Sequence, residues 1–287
     1  MVRKSIKVAA VLTVIASAAS IYLIQPEKVK LKPSKAGTED VSSGLEQNIT
    51  SFSIEGRSPK GAWQWNLNGD SAQIVGDDIY LENLKAVAYN DESVINLSSN
   101  SGVYRRGAGE VQLIGNVRVF SGEDFELVTE TARWSQGEKE IFTDAVVNIS
   151  REGMSAVGNG GRANSEEKWA RLNSDVRVFI APDTKVRSDG PLEVRYEENV
   201  AVFMDNVIVE DKEGRLFADK LTIEFDSETK QLAKVTAEGN VKVKKGNTYT
   251  LSEKAIYTDG TKSAQLLGRP RIIIDPAEID KFDQMAI

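Results

Sequence analysis

Gly115-Asn116-Val117-Arg118-Val119 and Gly239-Asn240-Val241-Lys242-Val243 are nearly the same short strand written twice. Four variants accompany them: Asp144-Ala145-Val146-Val147-Asn148-Ile149, Asp175-Val176-Arg177-Val178, Asp205-Asn206-Val207-Ile208-Val209 and Gly268-Arg269-Pro270-Arg271-Ile272. Taking the first core position of each copy as 117, 146, 176, 207, 241 and 270, successive separations are 29, 30, 31, 34 and 29 residues. A period in the range of roughly 20 to 50 residues marks a supersecondary unit stacked on copies of itself, because one unit cannot bury its own apolar face.

Alternation shows what fills each period. Phe125-Glu126-Leu127, Leu192-Glu193-Val194-Arg195-Tyr196 and Leu221-Thr222-Ile223-Glu224-Phe225 send apolar side chains to one face and charged ones to the other, as half-buried strands do. Between them Ser121-Gly122-Glu123-Asp124, Glu152-Gly153, Asp211-Lys212-Glu213-Gly214, Lys245-Gly246-Asn247 and Asp259-Gly260 supply turn residues. Each period is therefore a pair of hairpin-linked strands. After residue 50 no stretch keeps a helical period between start and stop signals, so the fold class expected there is all-β, repetitive and antiparallel. Stacked hairpins of this kind either mesh as a closed sandwich, with faces about 10 Å apart, or stay open along one seam as a jellyroll with an apolar groove. Alternation admits both.

The 287 residues hold 36 Lys and Arg against 43 Asp and Glu, for a net charge of −7, and contain neither Cys nor His. Disulfide frameworks, thiol nucleophiles, the usual zinc ligands and imidazole triads are thereby excluded. Acidic balance with interspersed signs argues against nucleic acid as a partner. No phosphate-binding Gly-x-x-x-x-Gly-Lys-Ser/Thr occurs, and Gly158-Asn159-Gly160-Gly161-Arg162 lacks the spacing of a dinucleotide loop. Asp205 to Asp211 with Gly214 resembles a calcium loop only superficially and reads as a turn. No cofactor and no metal site is expected.

The N-terminus departs from the repeat. Arg3, Lys4 and Lys7 precede an uncharged run from Val8 to Ile24, closed by Gln25-Pro26. Its 17 residues would span roughly 25 Å as a helix, at the short end of a membrane crossing. A signal peptide cut after Ala16-Ser17-Ala18 competes with a retained anchor. Ile21-Tyr22-Leu23-Ile24 carries the apolar run past that cut and favours the anchor. Ala9, Thr13 and Ser17, with Ala16 and Ser20 beside them, form a small-residue ridge that would let another membrane helix approach. Residues 26–50 are rich in Lys, Ser and Glu and read as a tether.

Beyond the basic tail, membrane segment and tether come Trp63-Gln64-Trp65-Asn66-Leu67-Asn68-Gly69-Asp70-Ser71-Ala72, Gly102-Val103-Tyr104, Leu113-Ile114-Gly115-Asn116-Val117-Arg118-Val119 and Leu127-Val128-Thr129-Glu130-Thr131-Ala132-Arg133-Trp134. Together they resemble the LptC family of lipopolysaccharide export. Farther on, Ser188-Asp189-Gly190-Pro191-Leu192, Phe203-Met204-Asp205-Asn206-Val207-Ile208-Val209, Leu216-Phe217-Ala218-Asp219-Lys220-Leu221, Ala237-Glu238-Gly239-Asn240-Val241 and Leu266-Leu267-Gly268-Arg269-Pro270 resemble the LptA or OstA-like bridge family. The expected organisation is a cytoplasmic tail (1–7), a transmembrane anchor (8–25), the tether (26–50), an LptC-like β-jellyroll (51–181), an LptA/OstA-like continuation (182–275) and a C-terminal tail (276–287).

The resemblance implies an open β-jellyroll behind one N-terminal transmembrane helix, placed at the inner membrane with its β domain in the periplasm. It implies a non-enzymatic carrier that receives lipopolysaccharide from an LptB/LptF/LptG-like ABC transporter and passes it to an LptA-like bridge protein. Acyl chains need desolvated apolar surface, worth about 0.8 kcal/mol per buried methylene. By alternation the candidate lining is Val117, Val119, Leu127, Val176, Val178, Leu192, Val194, Tyr196, Val207, Val209, Leu221, Ile223, Phe225, Val241 and Val243. Terminal strands leave unpaired edges, and strand addition there is a recognition mode. The first strands, around Ile49 to Ile54 and Trp63 to Leu67, are expected to meet the transporter, and Ile272, Ile273 and Ile274 the next bridge protein. Two rival readings stand beside this one. A membrane-anchored scaffold with a dry core needs no lipid. A carbohydrate hydrolase would need paired carboxylates such as Asp189 with Glu193 or Asp219 with Glu224.

Overall fold

Long antiparallel strands, several of them carrying a bulge near the middle, build this protein. The computed structural model describes residues 47–57, 64–89, 94–121, 125–164 and 166–274. Seventeen strands account for most of them, and no helix occurs among the described residues. The expected membrane segment, with Ala9, Thr13, Ala16, Ser17 and Ser20, lies outside those residues, as does Trp63. None of the described elements is a helix long and apolar enough to cross a membrane.

Two compact units part within the eighth strand. The N-terminal unit holds β1 (Gln47–Arg57), β2 (Gln64–Val75), β3 (Asp78–Tyr89), β4 (Val94–Arg105), β5 (Glu110–Ser121), β6 (Phe125–Ser135) and β7 (Glu140–Arg151). The far half of β8 (Met154–Asn164) completes it: Arg162 pairs with Glu140, and Asn164 donates to the Glu138 carbonyl. Each of β1 to β6 pairs antiparallel with the next. The C-terminal unit contains the near half of β8 with β9 (Trp169–Ile180), β10 (Thr184–Ser188), β11 (Leu192–Arg195), β12 (Val200–Glu210), β13 (Arg215–Phe225), β14 (Leu232–Lys245), β15 (Thr248–Thr258), β16 (Ser263–Leu267) and β17 (Arg271–Ile273). There β10 and β11 together fill one strand position between β9 and β12, while β16 and β17 both pair with β15. Both broken positions carry a proline at the break, Pro191 and Pro270. Proline has no N–H to give the ladder, so the strand interrupts where it stands.

The recurring Gly/Asp–Asn step is a bend inside a strand, not the start of one. Gly115 and Asn116 have φ of 78° and 48°, Asp205 and Asn206 63° and 51°, and Gly239 and Asn240 75° and 47°. At each pair the register slips by one residue, between Ile114 and Val117, Met204 and Val207, and Glu238 and Val241. Such a bulge bends its strand and strengthens its twist. A side-chain bond recurs beside the bends: Asn83 Nδ2 donates to Asp70 Oδ2 (2.7 Å), Asn206 Nδ2 to Asp189 Oδ2 (2.8 Å) and Asn240 Nδ2 to Asp219 Oδ2 (2.8 Å). Gly115 suits its place on two counts, since a Cβ there would sit 2.6 Å from Asn100 Nδ2 in addition to its left-handed backbone.

Burial follows from the bend. Every extensive contact between elements joins strands adjacent in the sheet, yet one face of both strand halves is buried. A sheet with no other layer to cover it can bury that face only by folding over on itself, the jellyroll-like solution. In the N-terminal unit Phe52, Ala72, Ile79 and Leu84 form a core against which Leu67 and Ile74, on either side of the β2 bend, both pack.

Two register readings need correction. Pro270, taken as the core position of the last copy, is exposed in the break between β16 and β17. Val146, taken as the core position of its copy, is 47% exposed, while Val147 and Ile149 are buried. That copy has Asp144-Ala145 in place of Gly-Asn and no left-handed pair, and its one-residue bulge falls between Phe142 and Val147, so the inward row resumes at Val147. A one-residue shift moves every side chain to the other face.

Candidate functional site

The inward face consists of cross-strand rows. In the C-terminal unit one wall carries Leu172, Leu192, Phe203, Leu221, Ala237, Ala255 and Leu266 in register, with Ala170, Val194, Ala201, Ile223, Val235 and Tyr257 behind it. The other wall carries Val178, Val186, Val209, Leu216, Val243 and Thr250. Val176, Val207 and Val241 sit at the bend between the walls. The N-terminal unit repeats the pattern with Leu97, Val119, Leu127 and Ile149 in one row and Val117, Thr129 and Val147 in the next.

These rows differ in how tightly they close. Val176, Val194 and Val207 have no exposed surface, and Val117, Val119, Val178, Leu192, Leu221, Ile223, Phe225 and Val241 are also buried. Leu127, Val209 and Val243 are half-buried. Tyr196 is half-buried too, but β11 ends at Arg195 and Tyr196 opens the following turn, where its carbonyl accepts from Asn199 N (3.3 Å). Interior contacts become looser toward the last strands, since β15 has no fully buried residue.

Several interior residues escaped the sequence reading. Phe203 is 1% exposed, and Ala201, Leu172, Leu84 and Ile95 are as well closed in. Leu216 joins Val209 and Val243 in the half-open row. All of them precede a bend or lie on a strand without the Gly-Asn step. A reading that begins each strand at that step omits the half before it, and Phe203 stands in the unbroken apolar run Val200-Ala201-Val202-Phe203-Met204, which offers no alternation to read.

The terminal edges are unlike. Among the described residues β1 pairs only with β2 along ten positions, and β17 only with β15 along three. Ile272, Ile273 and Ile274 are 65%, 51% and 40% exposed. An exposed apolar strand edge is a template for another chain.

The carboxylates considered for hydrolysis are engaged elsewhere. Asp189 and Asp219 accept the bend asparagines, Glu193 pairs with Arg195 (2.7 Å) and Glu224 with Lys234 (2.7 Å). Glu193, by hydrogen bond and charge, raises the Arg195 pKa. Asp211 Oδ1 accepts from Glu213 N and Gly214 N, which makes the superficially calcium-like stretch a hairpin turn.

Comparison with known proteins adds to this geometry. Residues 10–181 match the family described as lipopolysaccharide-assembly, LptC-related, and residues 185–281 match the one described as LptA/(LptD N-terminal domain) LPS transport protein. Among solved structures the chain is similar to LptH, the LptA homologous periplasmic component of the conserved lipopolysaccharide transport device from Pseudomonas aeruginosa. That similarity is at 13% identity and a TM-score of 0.36, over 43% of this chain and 95% of the other. No curated protein matches the chain.

Proposed function

This chain belongs to the LptC-related lipopolysaccharide-assembly family, and from that premise we propose that it is a non-enzymatic carrier of lipopolysaccharide, moving acyl chains along its folded-over interior. It takes them from an inner-membrane transporter of the LptB/LptF/LptG kind and delivers them toward the outer membrane through an LptA-like partner. Residues 8–25 hold it in the inner membrane and residues 26–50 keep the β domain in the periplasm. The LptA-like match from 185 to 281 supports a chain that carries part of the bridge within itself.

The observation that carries the reading is the half-open wall of Val209, Leu216 and Val243 facing a closed one. A residue with no exposed surface has no free volume beside it for hydrocarbon. Tails therefore lie first along the half-open wall and reach Ile223 and Val194 as the walls part. Apolar burial supplies the affinity, and headgroup charge stays outside. A dry scaffold is the second reading, favoured by the full burial of Val176, Val194 and Val207.

A photo-reactive residue placed in cells at Val209 or Ile223, with its outward neighbour Glu224 as control, separates the two. Lipopolysaccharide adducts from Val209 and Ile223 but not from Glu224 are expected. Absence of adducts at every inward position leaves the scaffold.

A further inference from the structure

The outward face of the N-terminal unit carries a groove of about 500 Å³ where β2 to β5 bend, a size within the range of roughly 300–1,000 Å³ typical of small-molecule sites. One side is a cross-strand row, Asn68, Lys85, Ser98 and Arg118, each in register with the next. The other side is formed by the bend residues Asp70, Asn83, Asn100 and Asn116. Asn83 donates to Asp70, and Asn116 Nδ2 to Asn100 Oδ1 (3.4 Å), so this side is tied together.

The chemistry of the lining is selective. Two cations face one carboxylate, a local positive balance on a chain of net charge −7. Among the described residues no carboxylate lies in ion-pair range of Lys85, and Arg118 touches Glu126 only loosely, at 3.6 Å with half its side chain exposed. An exposed pair of that kind is worth little and yields readily to a better anion. At a strand spacing of about 4.8 Å, Lys85 and Arg118 stand roughly 10 Å apart along the sheet. Amides and a hydroxyl lie between them, groups that both donate and accept. That spacing lets both long side chains reach one phosphate from either side while the hydroxyls of an attached sugar ring meet the amides.

The C-terminal unit shows that the bend alone does not make such a groove. Lys242 occupies the place of Arg118 in Gly239-Asn240-Val241-Lys242-Val243, but its register partner is Phe217 where Arg118 has Ser98. There Nζ lies 4.4 Å from the Tyr249 ring centroid and 5.9 Å from that of Phe217, and the rings cover the surface.

We propose that the outward bend of β2 to β5 binds a phosphorylated sugar, with Arg118 and Lys85 holding the phosphate oxygens and the asparagine side chains the ring hydroxyls. Its two sources are a free sugar phosphate and the headgroup of a glycolipid; the second rests on the transport reading above.

The test is calorimetric titration of the full chain in detergent with glucosamine 1-phosphate, glucosamine and inorganic phosphate. Saturable binding of glucosamine 1-phosphate is expected, weakened at least tenfold by Lys85→Gln with Arg118→Gln and unchanged by Lys242→Gln. The double variant should melt as the unaltered protein does, because Lys85 and Arg118 are exposed, whereas Lys242→Gln should melt lower, because Lys242 is half-buried against the Tyr249 ring. Binding indifferent to the double change, no saturation at millimolar ligand, or inorganic phosphate bound as tightly as the sugar phosphate would each overturn the proposal. A photo-reactive residue at Ser98 then assigns the source: a glycolipid adduct in cells supports the headgroup, and sugar-phosphate binding without that adduct supports the free ligand. Adducts at Ile223 with no ligand bound by the groove would sink the groove alone. Ligand bound by the groove with no adducts at any inward position would sink the carrier reading alone.

Discussion

Gly115 and Gly239 stand where the backbone turns left-handed within a strand, and a side chain at either would meet a neighbour as well as a strained φ. Gly115→Val should cost about 2 kcal/mol, within the range of such strain, read as a lower thermal midpoint at unchanged β content by circular dichroism. Phe203→Ala should cost more, about 3–5 kcal/mol, because a fully buried ring leaves a cavity. Glu238 sits in register between Lys220 and Lys254, 2.7 Å from the latter. The Lys254 hydrogen bond and charge hold its pKa below the ordinary 4.5. A depressed carboxylate stabilises the fold above its unfolded pKa and loses that contribution as pH falls through the folded value. The midpoint difference between the unaltered protein and Glu238→Gln should therefore be present at pH 7 and shrink below about pH 4.5. At this scale the sequence was legible wherever alternation was regular: Val117, Val176, Val207 and Val241 all point inward. It misled at Val146, because the position of an extra bulge residue depends on the neighbouring ladder and not on the local pattern, and at Pro270, where the proline interrupts the strand and stays exposed.

Strands were legible as alternating runs, but their lengths were not. Most extend for 11 to 14 residues, about twice the common length, because a residue pair that normally ends a strand here only bends it. Asn-Gly-type chemistry signals positive φ, and a hairpin turn and a mid-strand bulge both use it; only the ladder on either side tells them apart. The same logic identifies the end of the sheet. β17 is three residues long, follows Pro270 and presents Ile272 and Ile273 to solvent. Ile273→Asp should leave the melting curve within about 0.5 kcal/mol of the unaltered protein, as surface changes do, while abolishing crosslinks to an LptA-like partner in cells. Persistent crosslinking would place that contact on another element.

For the whole molecule, all-β class and repetition followed from the period alone, since stacked hairpins with one apolar face have few ways to bury it. What the period left open was whether two sheets or one folded sheet supply the walls. Within each unit mid-strand bulges let one strand contribute to both walls, between Ile114 and Val117 in the first and between Met204 and Val207 and Glu238 and Val241 in the second. The outward groove was illegible for the same reason: Asn68, Lys85, Ser98 and Arg118 come from four strands and become neighbours only through register. The left-handed pairs also leave a mark on solvent access to the backbone. At 115 and 116, 205 and 206, and 239 and 240 the Cα pairing passes over both residues, so their amides lack the protection that flanks them. Deuterium should enter at each of these pairs earlier than at the ladder residues on either side of it.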